Sequence, residues 1–303
     1  MSERRETGRR KAAPSRGRRP TGLKSKPSSP KFGETAPGER IAKYLARAGV
    51  ASRRACEVLI AEGQVSVDGR KVKTPAEKVT GQEDIRVHGL EVDAPAATRL
   101  WRYHKPAGLI TTNVDPAGRR TIFEELPKTL PRTVTVGRLD LNTEGLLLLT
   151  NDGELARKLE QPGNGLVRSY RARAFGKVHP ERLARLAEGI TVDGERFGAI
   201  DAALEQETGA NAWLRISLQE GRKREVRRAL EAVGLQVNRL IRVRYGPFEL
   251  GALKPGSVVE VSYGDLRSQL PGLVEDVSKR RPGPKKPSRA PRRSNRNLQT
   301  RSS

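Results

Sequence analysis

The sequence predicts an α+β fold: a small helix–hairpin domain, then a larger domain with a mixed, mostly antiparallel β-sheet and flanking helices, between disordered basic tails. Two helical patterns precede a hairpin signal in residues 39–93. Short β-type runs alternate with a few helical patterns in residues 100–272, an order typical of an α+β domain. Hydrophobic residues make up only 35% of the 303 residues, which indicates that part of the chain does not fold.

Charge is concentrated at both ends of the chain. The net charge is +24 overall, +8 in residues 1–38 and +10 in residues 278–303. The tails, 1–38 and 273–303, are rich in Pro, Ser, Gly and Arg, so they cannot bury enough apolar surface to offset chain entropy. We favour flexible arms on RNA phosphates over tails that serve only solubility, because dense like charges repel unless neutralised. An Arg-rich transit peptide is a third interpretation of residues 1–31.

Several classes of protein are disfavoured by composition. One cysteine, Cys56, excludes an internal disulfide framework and a cysteine zinc cluster. Three scattered histidines (His88, His104 and His179) argue against a His-rich metal site. The chain has no apolar run of about 18 residues and no apolar signal core near its N-terminus. We therefore expect a cytoplasmic protein with no membrane partner.

The first domain, residues 39–93, reads as two helices and a hairpin. ERIAKYLARAGV has apolar residues at helical spacing, and Ser52 is placed to cap a second helix in SRRACEVLIAEG. VSVDGRKV has a strong hairpin turn at Asp68-Gly69. This order leaves basic residues for one outer, RNA-binding face: Lys43, Arg47, Arg53, Arg54, Arg70 and Lys71.

Residues 94–99 read as a linker, and the larger domain follows. Its predicted strands are LWRYHK, GLITTN, TVTVGRL, GLLLLT, RSYRARAFG, AWLRISL, LIRVRY and VVEVSYG. Its predicted helices are ELARKLEQ, HPERLARLAEG and KREVRRALEAVG. No GxGxxG or Walker phosphate loop is present, so the sequence gives no support for a nucleotide cofactor.

The densest local signal surrounds Asp140, in TVTVGRLDLNTEGLLLLTNDGELARKL. The pattern places this aspartate in a loop between two buried strands, where catalytic groups often lie. A turn-forming aspartate with a local hydrogen bond is the alternative. The residues leave three chemistries open: hydrolysis by Asp140 with Glu144, metal binding by these two with Asp152, and a single carboxylate acting as nucleophile.

Two stretches resemble known families. ERIAKYLARAGVASRRACEVLIAEGQVSVDGRKV resembles the S4 RNA-binding domain. VGRLDLNTEGLLLLTNDG, with K-P-x-G at residues 105–108 and E-G-R-K-R-E-V-R-R at residues 220–228, resembles the motif series of bacterial ribosomal-RNA pseudouridine synthases of the RsuA/RluB group. The likeness runs from Glu39 to about Leu253. It implies RNA binding by the first domain and isomerisation of a uridine by the second, without metal or organic cofactor.

The resemblance also implies roles for individual residues. Asp140 corresponds to the catalytic aspartate of the family. Tyr170, in Arg-Ser-Tyr where the family has Lys-x-Tyr, corresponds to the tyrosine that packs against the target base. Arg138 is expected to contact RNA or to hold the space of the flipped base.

A basic residue of the family pairs with the catalytic aspartate. It corresponds here to Arg227, for which Arg222 and Arg224 are competing candidates. In such a pair, a buried arginine would keep the carboxylate of Asp140 ionised and hold it in position. Arg222 is also expected to bind the substrate.

The expected partner is ribosomal RNA, and 23S rRNA is favoured over 16S rRNA because the basic tails resemble extensions of the large-subunit enzymes. The protein is expected to act as a monomer. Two other hypotheses remain: a non-catalytic RNA-binding factor for ribosome assembly, and an RNA glycosidase that uses Asp140 and Glu144. A pure RNA binder does not need the trio Asp140, Tyr170 and Arg227.

Overall fold

The computed structural model describes residues 38–273. The predicted basic tails lie outside this range, apart from Gly38 and Leu273. The helices are α1 (Ile41–Arg47), α2 (Arg53–Ala61), α3 (Ile122–Glu125), α4 (Gly153–Glu160), α5 (Pro180–Ala184), α6 (Glu225–Ala232) and α7 (Tyr263–Gln269). Short 3-10 helices span Pro162–Asn164 and Arg185–Glu188.

The strands divide between the two domains. Those of the first are β1 (Glu39–Arg40), β2 (Val65–Val67), β3 (Arg70–Lys71), β4 (Lys78–Val79), β5 (Ile85–Val87) and β6 (Leu90–Glu91). Those of the second are β7 (Leu100–Lys105), β8 (Val134–Val136), β9 (Thr143–Thr150), β10 (Arg168–Phe175), β11 (Ile190–Val192), β12 (Glu195–Phe197), β13 (Ile200–Thr208), β14 (Asn211–Leu218), β15 (Gln236–Tyr245), β16 (Phe248–Glu249) and β17 (Val258–Glu260).

The first domain packs α1 and α2 against a four-stranded sheet of order β3-β2-β5-β6. The Ser52 hydroxyl caps α2 by accepting the backbone N–H of Ala55 at 3.1 Å. Asp68 and Gly69 both have positive φ, at 49° and 80°, as the predicted two-residue hairpin turn requires. The two predicted helices and the hairpin are therefore confirmed.

The second domain is built on a nine-stranded sheet with the order β13-β14-β10-β15-β9-β7-β17. The strand β16 pairs with β15, and β8 pairs with β9. Of the pairings in this sheet, β15 with β9 is parallel and the rest are antiparallel. The predicted mixed, mostly antiparallel sheet is confirmed.

The strand β9 explains the apolar run GLLLLT. Leu147 and Leu149 pack in a core with α5 and α6, whereas Leu146 and Leu148 pack in a second core with α4 and α7. Because successive residues of a strand face opposite sides, a sheet covered on both sides needs a continuous apolar strand. This double burial fixes the position at which β9 begins, and the loop before it carries Asp140.

The sequence prediction differs from the structure at several elements. GLITTN forms no strand; its only β-type contact is an isolated bridge from Ile110 to Thr121. The strand β13 (IDAALEQET) was not predicted, because its Ala, Leu, Glu and Gln favour a helix and its pairing with β14 overrides that preference. Helices α3 and α7, of four and seven residues, were also not predicted. No helix within residues 38–273 could cross a membrane.

Candidate active site

A cavity of about 690 Å³ opens where β8, β10, β15 and the N-terminus of α6 meet. Four of the predicted site residues line it: Arg138, Asp140, Tyr170 and Arg222. They come from sequence positions up to 84 residues apart, and the sheet order brings them together. Arg227 lies just behind, on α6, and is half-buried.

Asp140 is the carboxylate of this cavity that is free to act. It lies in the six-residue loop between β8 and β9 and is exposed. Among the described residues it has neither an ion pair nor a hydrogen bond to its side chain. The other lining carboxylates are already bound: Glu160 by the backbone N–H of Gly137 at 2.7 Å, Glu220 by Arg222 at 2.8 Å, and Glu225 by the Arg222 backbone N–H at 2.9 Å.

The backbone around Asp140 is held by Lys105, a residue that the sequence analysis noted only as part of K-P-x-G. Its side chain is fully buried, and four carbonyl oxygens lie within hydrogen-bond distance of its three N–H donors: Thr143 at 2.9 Å, Pro106 at 3.0 Å, Asp140 at 3.2 Å and Leu141 at 3.4 Å. Burial lowers the pKa of Lys105 to about 8, against the opposing effect of Asp140 and Glu144. A buried cation thus fixes both sides of the loop.

Two more contacts come from the segment that follows Lys105. The Gly108 N–H donates to the Leu141 carbonyl at 2.8 Å. The Thr111 hydroxyl donates to the Leu139 carbonyl at 2.9 Å and accepts the Leu139 N–H at 3.3 Å. GLITTN therefore supports the loop with side-chain and backbone contacts instead of joining the sheet, which explains why its β-type composition misled the prediction.

Arg227 does not form the predicted ion pair with Asp140. Its guanidinium donates to the carbonyls of Asn142 and Val237, each at 2.9 Å, and its Nε is buried without a partner among the described residues. Burial, reinforced by Arg224, lowers the pKa of Arg227, while the nearby Asp140 raises it. Arg227 therefore acts on Asp140 through the electric field and through the backbone of Asn142, two residues further along the loop.

Tyr170 forms one wall of the cavity. It lies on β10, is 8% exposed, and packs in the same core as α6. Its strand neighbours are Ile216 on β14 and Arg242 on β15. Core packing therefore holds the Tyr170 ring in place at the cavity wall.

Two buried arginines form the floor, and the sequence analysis did not identify Arg242 as part of the site. The guanidinium groups of Arg168 and Arg242 lie over the Tyr245 ring, 4.8 and 5.0 Å from its centroid. Arg168 also donates to the Tyr245 hydroxyl at 3.0 Å, and Arg242 donates to the Leu146 carbonyl at 2.8 Å. Arg168 belongs to the Arg-Ser-Tyr pattern, whereas no pattern marks Arg242, because its partner Leu146 lies 96 residues away in the chain.

Arg138 and Arg222 occupy different electrostatic settings. Arg138 is exposed and has no bonding partner within residues 38–273. Arg222 binds Glu220 at 2.8 Å and Glu195 at 3.3 Å. The carboxylate of Glu195 also binds Arg228 on α6, so this network ties the segment before α6 to the β11–β12 hairpin.

Two of the chemistries that the sequence leaves open need a second carboxylate, Glu144 or Asp152, beside Asp140. In the structure both of these residues have other partners. The Nε and Nη2 groups of Arg239 donate to the two carboxylate oxygens of Glu144, at 2.7 and 3.0 Å. Hydrogen bonding to Arg239 lowers the pKa of Glu144. Asp152 caps α4 by accepting the Glu154 N–H at 2.9 Å. Neither residue lines the cavity. Within residues 38–273 no group of three or more His, Cys, Asp or Glu could hold a metal ion.

Most of the predicted RNA-binding cations of the first domain have protein partners. Lys43 binds Glu39 and Glu154, and Arg47 binds Glu39. Arg53 binds Glu57, and Arg70 binds Glu77. Arg54 and Lys71 are exposed and have no partner in the described part of the chain. The contact from Lys43 to Glu154 reaches α4, so this residue helps to hold the first domain against the second.

Comparison with known proteins agrees with the motifs. The family model described as RNA pseudouridylate synthase matches residues 99–232, and the S4 domain model matches residues 39–85. An RNA pseudouridine synthase of Rickettsia felis, named as uncharacterised, is 46% identical over 224 residues, covering 74% of this chain and 97% of the relative. Ribosomal large subunit pseudouridine synthase B of Yersinia pestis is 43% identical over 252 residues, covering 80% of this chain and 79% of the relative.

A solved structure supports the fold. The crystal structure of a pseudouridylate synthase matches with a TM-score of 0.54 and 24% identity, covering 77% of this chain and all of the other. The family resemblance inferred from the motifs is confirmed. On its fold, its S4 domain and its identity to these relatives, the chain belongs to the RNA pseudouridine synthases.

Proposed function

We propose that this chain converts one uridine of 23S ribosomal RNA to pseudouridine, with Asp140 as the catalytic residue. The observation that carries the proposal is that Asp140 is the cavity carboxylate left without a partner, on a loop whose backbone is held from three sides. The choice of 23S rRNA rests on relatives named as large-subunit enzymes, such as the Yersinia pestis protein.

The chemistry fits a single carboxylate. The bond from uracil N1 to ribose C1′ breaks, the base turns, and a bond from C5 to C1′ forms. The proton lost from C5 is balanced by one gained at N1, so the RNA keeps its composition. A carboxylate beside the sugar stabilises or traps positive charge at C1′, or removes a proton next to it. The chain's own residues supply these steps without a metal or an organic cofactor.

The cavity suits a base that has left its helix. Flipping a nucleotide out costs a few kcal/mol, and stacking on an aromatic ring returns about 1–3 kcal/mol. Tyr170 supplies that ring, and Arg138 lies at the opening of the same cavity. We assign Tyr170 to the base and Arg138 to the RNA around it.

Two cations position the loop without touching substrate. Lys105 holds the carbonyl of Asp140, and Arg227 holds the carbonyl of Asn142. Arg222, bound to Glu195 and Glu220, is assigned a positioning role as well, in the segment before α6. We propose that Arg54 and Lys71 on the S4 domain contact RNA. All of these residues come from one chain, so we propose that the enzyme acts as a monomer.

The test is pseudouridine mapping of ribosomal RNA from cells that lack this protein. The cells are complemented with the wild type, with Asp140→Asn, or with Asp201→Asn as a control. Asp201 is an exposed aspartate on β13 and has no partner among the described residues. We expect one pseudouridine of 23S rRNA to be missing, and to return with the wild type and with Asp201→Asn only.

Other outcomes would overturn the proposal. No missing site, or restoration by Asp140→Asn, would favour an RNA-binding assembly factor. A missing site in 16S rRNA would leave the chemistry in place and refute the choice of RNA. An abasic site in RNA treated with the pure protein would identify a glycosidase, since isomerisation leaves the RNA mass unchanged.

A further inference from the structure

Three cations stand at the opening of the Asp140 cavity without protein partners. Arg138, Lys223 and Arg224 line the cavity and are exposed. Within residues 38–273 none of them forms a hydrogen bond or an ion pair through its side chain. None of the four lining carboxylates, Asp140, Glu160, Glu220 and Glu225, forms an ion pair with these three, and six arginine and lysine residues line the cavity against those four carboxylates. The opening therefore carries positive charge that the protein leaves unbalanced.

Other arginines close by in the sequence do have carboxylate partners, so in this segment the lack of a partner is particular to Lys223 and Arg224. Arg222 and Arg228, one and four residues from Lys223 and Arg224 respectively, both form ion pairs with Glu195. Arg228 binds Asp193 as well, and its guanidinium lies over the Phe197 ring at 4.8 Å. In the stretch 222–228, Arg222 and Arg228 are held by carboxylates, and the three cations between them are not. Of these three, Arg227 donates to backbone carbonyls, so Lys223 and Arg224 are the two whose side chains have no partner among the described residues.

The backbone of Arg224 is in a costly conformation. Its φ and ψ are 52° and 29°, in the left-handed region, which residues other than glycine adopt uncommonly. It also lies close enough to Arg227 to lower the pKa of that guanidinium. Both the strained backbone and the like-charge neighbour disfavour an arginine at this position in the free protein.

We propose that Lys223 and Arg224 bind the RNA phosphate groups next to the target nucleotide. The inference rests on the proposed function, since it takes RNA as the substrate of this cavity. A nucleotide flipped towards Asp140 and Tyr170 brings its flanking phosphates to the opening. Arginine binds phosphate through two parallel N–H···O bonds, and lysine binds it as a point charge. Phosphate oxygens also relieve the repulsion between Arg224 and Arg227.

The experiment measures the affinity of an rRNA fragment as a function of salt concentration. The full chain is used, with Asp140→Asn as the common background so that no turnover occurs. The variants are Lys223→Ala, Arg224→Ala and the double variant. Arg185→Ala is the matched control, because Arg185 is exposed, has no partner in the described part of the chain and does not line the cavity.

Each lost phosphate contact should make the slope of log affinity against log salt shallower by about 0.7–0.9. We expect the double variant to change the slope by roughly 1.5, and Arg185→Ala to leave it unchanged. Arg224→Lys should keep most of the affinity. Arg224→Gly should raise the melting temperature, because glycine adopts positive φ freely, while it weakens RNA binding as much as Arg224→Ala does.

Two results would overturn the inference: a double variant with the wild-type slope, or an Arg224→Gly protein that binds RNA as tightly as its parent. Failure of the proposed function gives a different pattern. The slope change would then persist while the wild-type protein formed no pseudouridine in the same RNA.

Discussion

Lys105 offers the most direct test of how the loop that carries Asp140 is held. Lys105→Met keeps the length of the side chain and removes the ammonium group. Two of its four bonds are short, to the Thr143 and Pro106 carbonyls at 2.9 and 3.0 Å. The carbonyls of Asp140 and Leu141 keep a second donor each, the N–H groups of Thr143 and Gly108. The substitution therefore leaves mainly two carbonyls without a donor.

The expected loss of stability is a difference of two terms. Hydrogen bonds to a charged group contribute about 1.5–3 kcal/mol each, so the two short bonds contribute about 3–6 kcal/mol. Burial lowers the pKa of Lys105 from 10.5 to about 8, and keeping the charge at pH 7 then costs about 3 kcal/mol. We expect Lys105→Met to lower the free energy of unfolding at pH 7 by about 1–2 kcal/mol, or the melting temperature by about 2–8 °C.

The sign of the pH dependence follows from the lowered pKa. Between pH 8 and 10.5 the unfolded chain binds the Lys105 proton and the folded chain does not, so the wild type gains stability as pH rises. The gain approaches about 1.4 kcal/mol for each pH unit. The methionine variant lacks this gain. The stability gap between the two proteins should therefore widen from pH 7 to pH 9.

Denaturant unfolding at pH 7, 8 and 9 measures this gap, with Lys128→Met, at an exposed lysine, as the control for the substitution itself. Turnover should fall as well, by up to about 100-fold if Asp140 moves by about 1 Å. A gap that narrows with pH would show that the fold prefers the charged ammonium and would refute the reasoning. An unchanged turnover would show that Lys105 does not position Asp140.

Three further predictions test other parts of the site. Thr111→Val should lower turnover about tenfold or more, because the C=O and N–H of Leu139 both lose the hydroxyl that binds them. Thr111→Ser should restore turnover. The control Thr150→Val, which removes a hydroxyl that also makes two hydrogen bonds to the backbone, should not lower turnover. Gly145→Ala should cost at least about 3 kcal/mol of stability in thermal unfolding, because its Cβ would lie 2.3 Å from a backbone oxygen of β15 and its φ is +103°. Tyr170→Leu should reduce turnover far more than Tyr170→Phe, measured by pseudouridine formation, because only phenylalanine keeps a ring to stack on the base.

The fold was predictable where a pattern is local and strong. The run GLLLLT, the cap at Ser52 and the turn at Asp68-Gly69 each specify their structure within a few residues. The strand β13 was missed because its residues favour a helix, and only pairing with β14 makes it a strand. GLITTN was predicted as a strand because its composition is β-like, but Thr111 bonds to Leu139 in the loop that carries Asp140.

The site was predictable at the level of motifs but not of contacts. Arg138, Asp140, Tyr170 and Arg222 meet at one cavity, as their motifs imply. The residues that hold the loop have backbone carbonyls as partners, and no side-chain pattern records a bond to a carbonyl. The K-P-x-G motif already pointed to Lys105 as a residue of interest. Its burial and its bonds to the loop could not be predicted, because they arise only in the folded chain.

Charged residues show most clearly that contacts cannot be read from the sequence, because the sequence does not reveal which acidic group or phosphate a basic residue binds. Arg222 and Arg224 are two positions apart in one motif, yet one is bound by two carboxylates and the other by none. The same division appears in the S4 domain, where Arg53 has a carboxylate partner and Arg54 does not. An RNA phosphate competes poorly with a carboxylate that is already in place, and it has no competitor at a cation left alone. The unpaired cations are therefore the ones to test against RNA, and the paired ones are those whose loss should destabilise the protein itself.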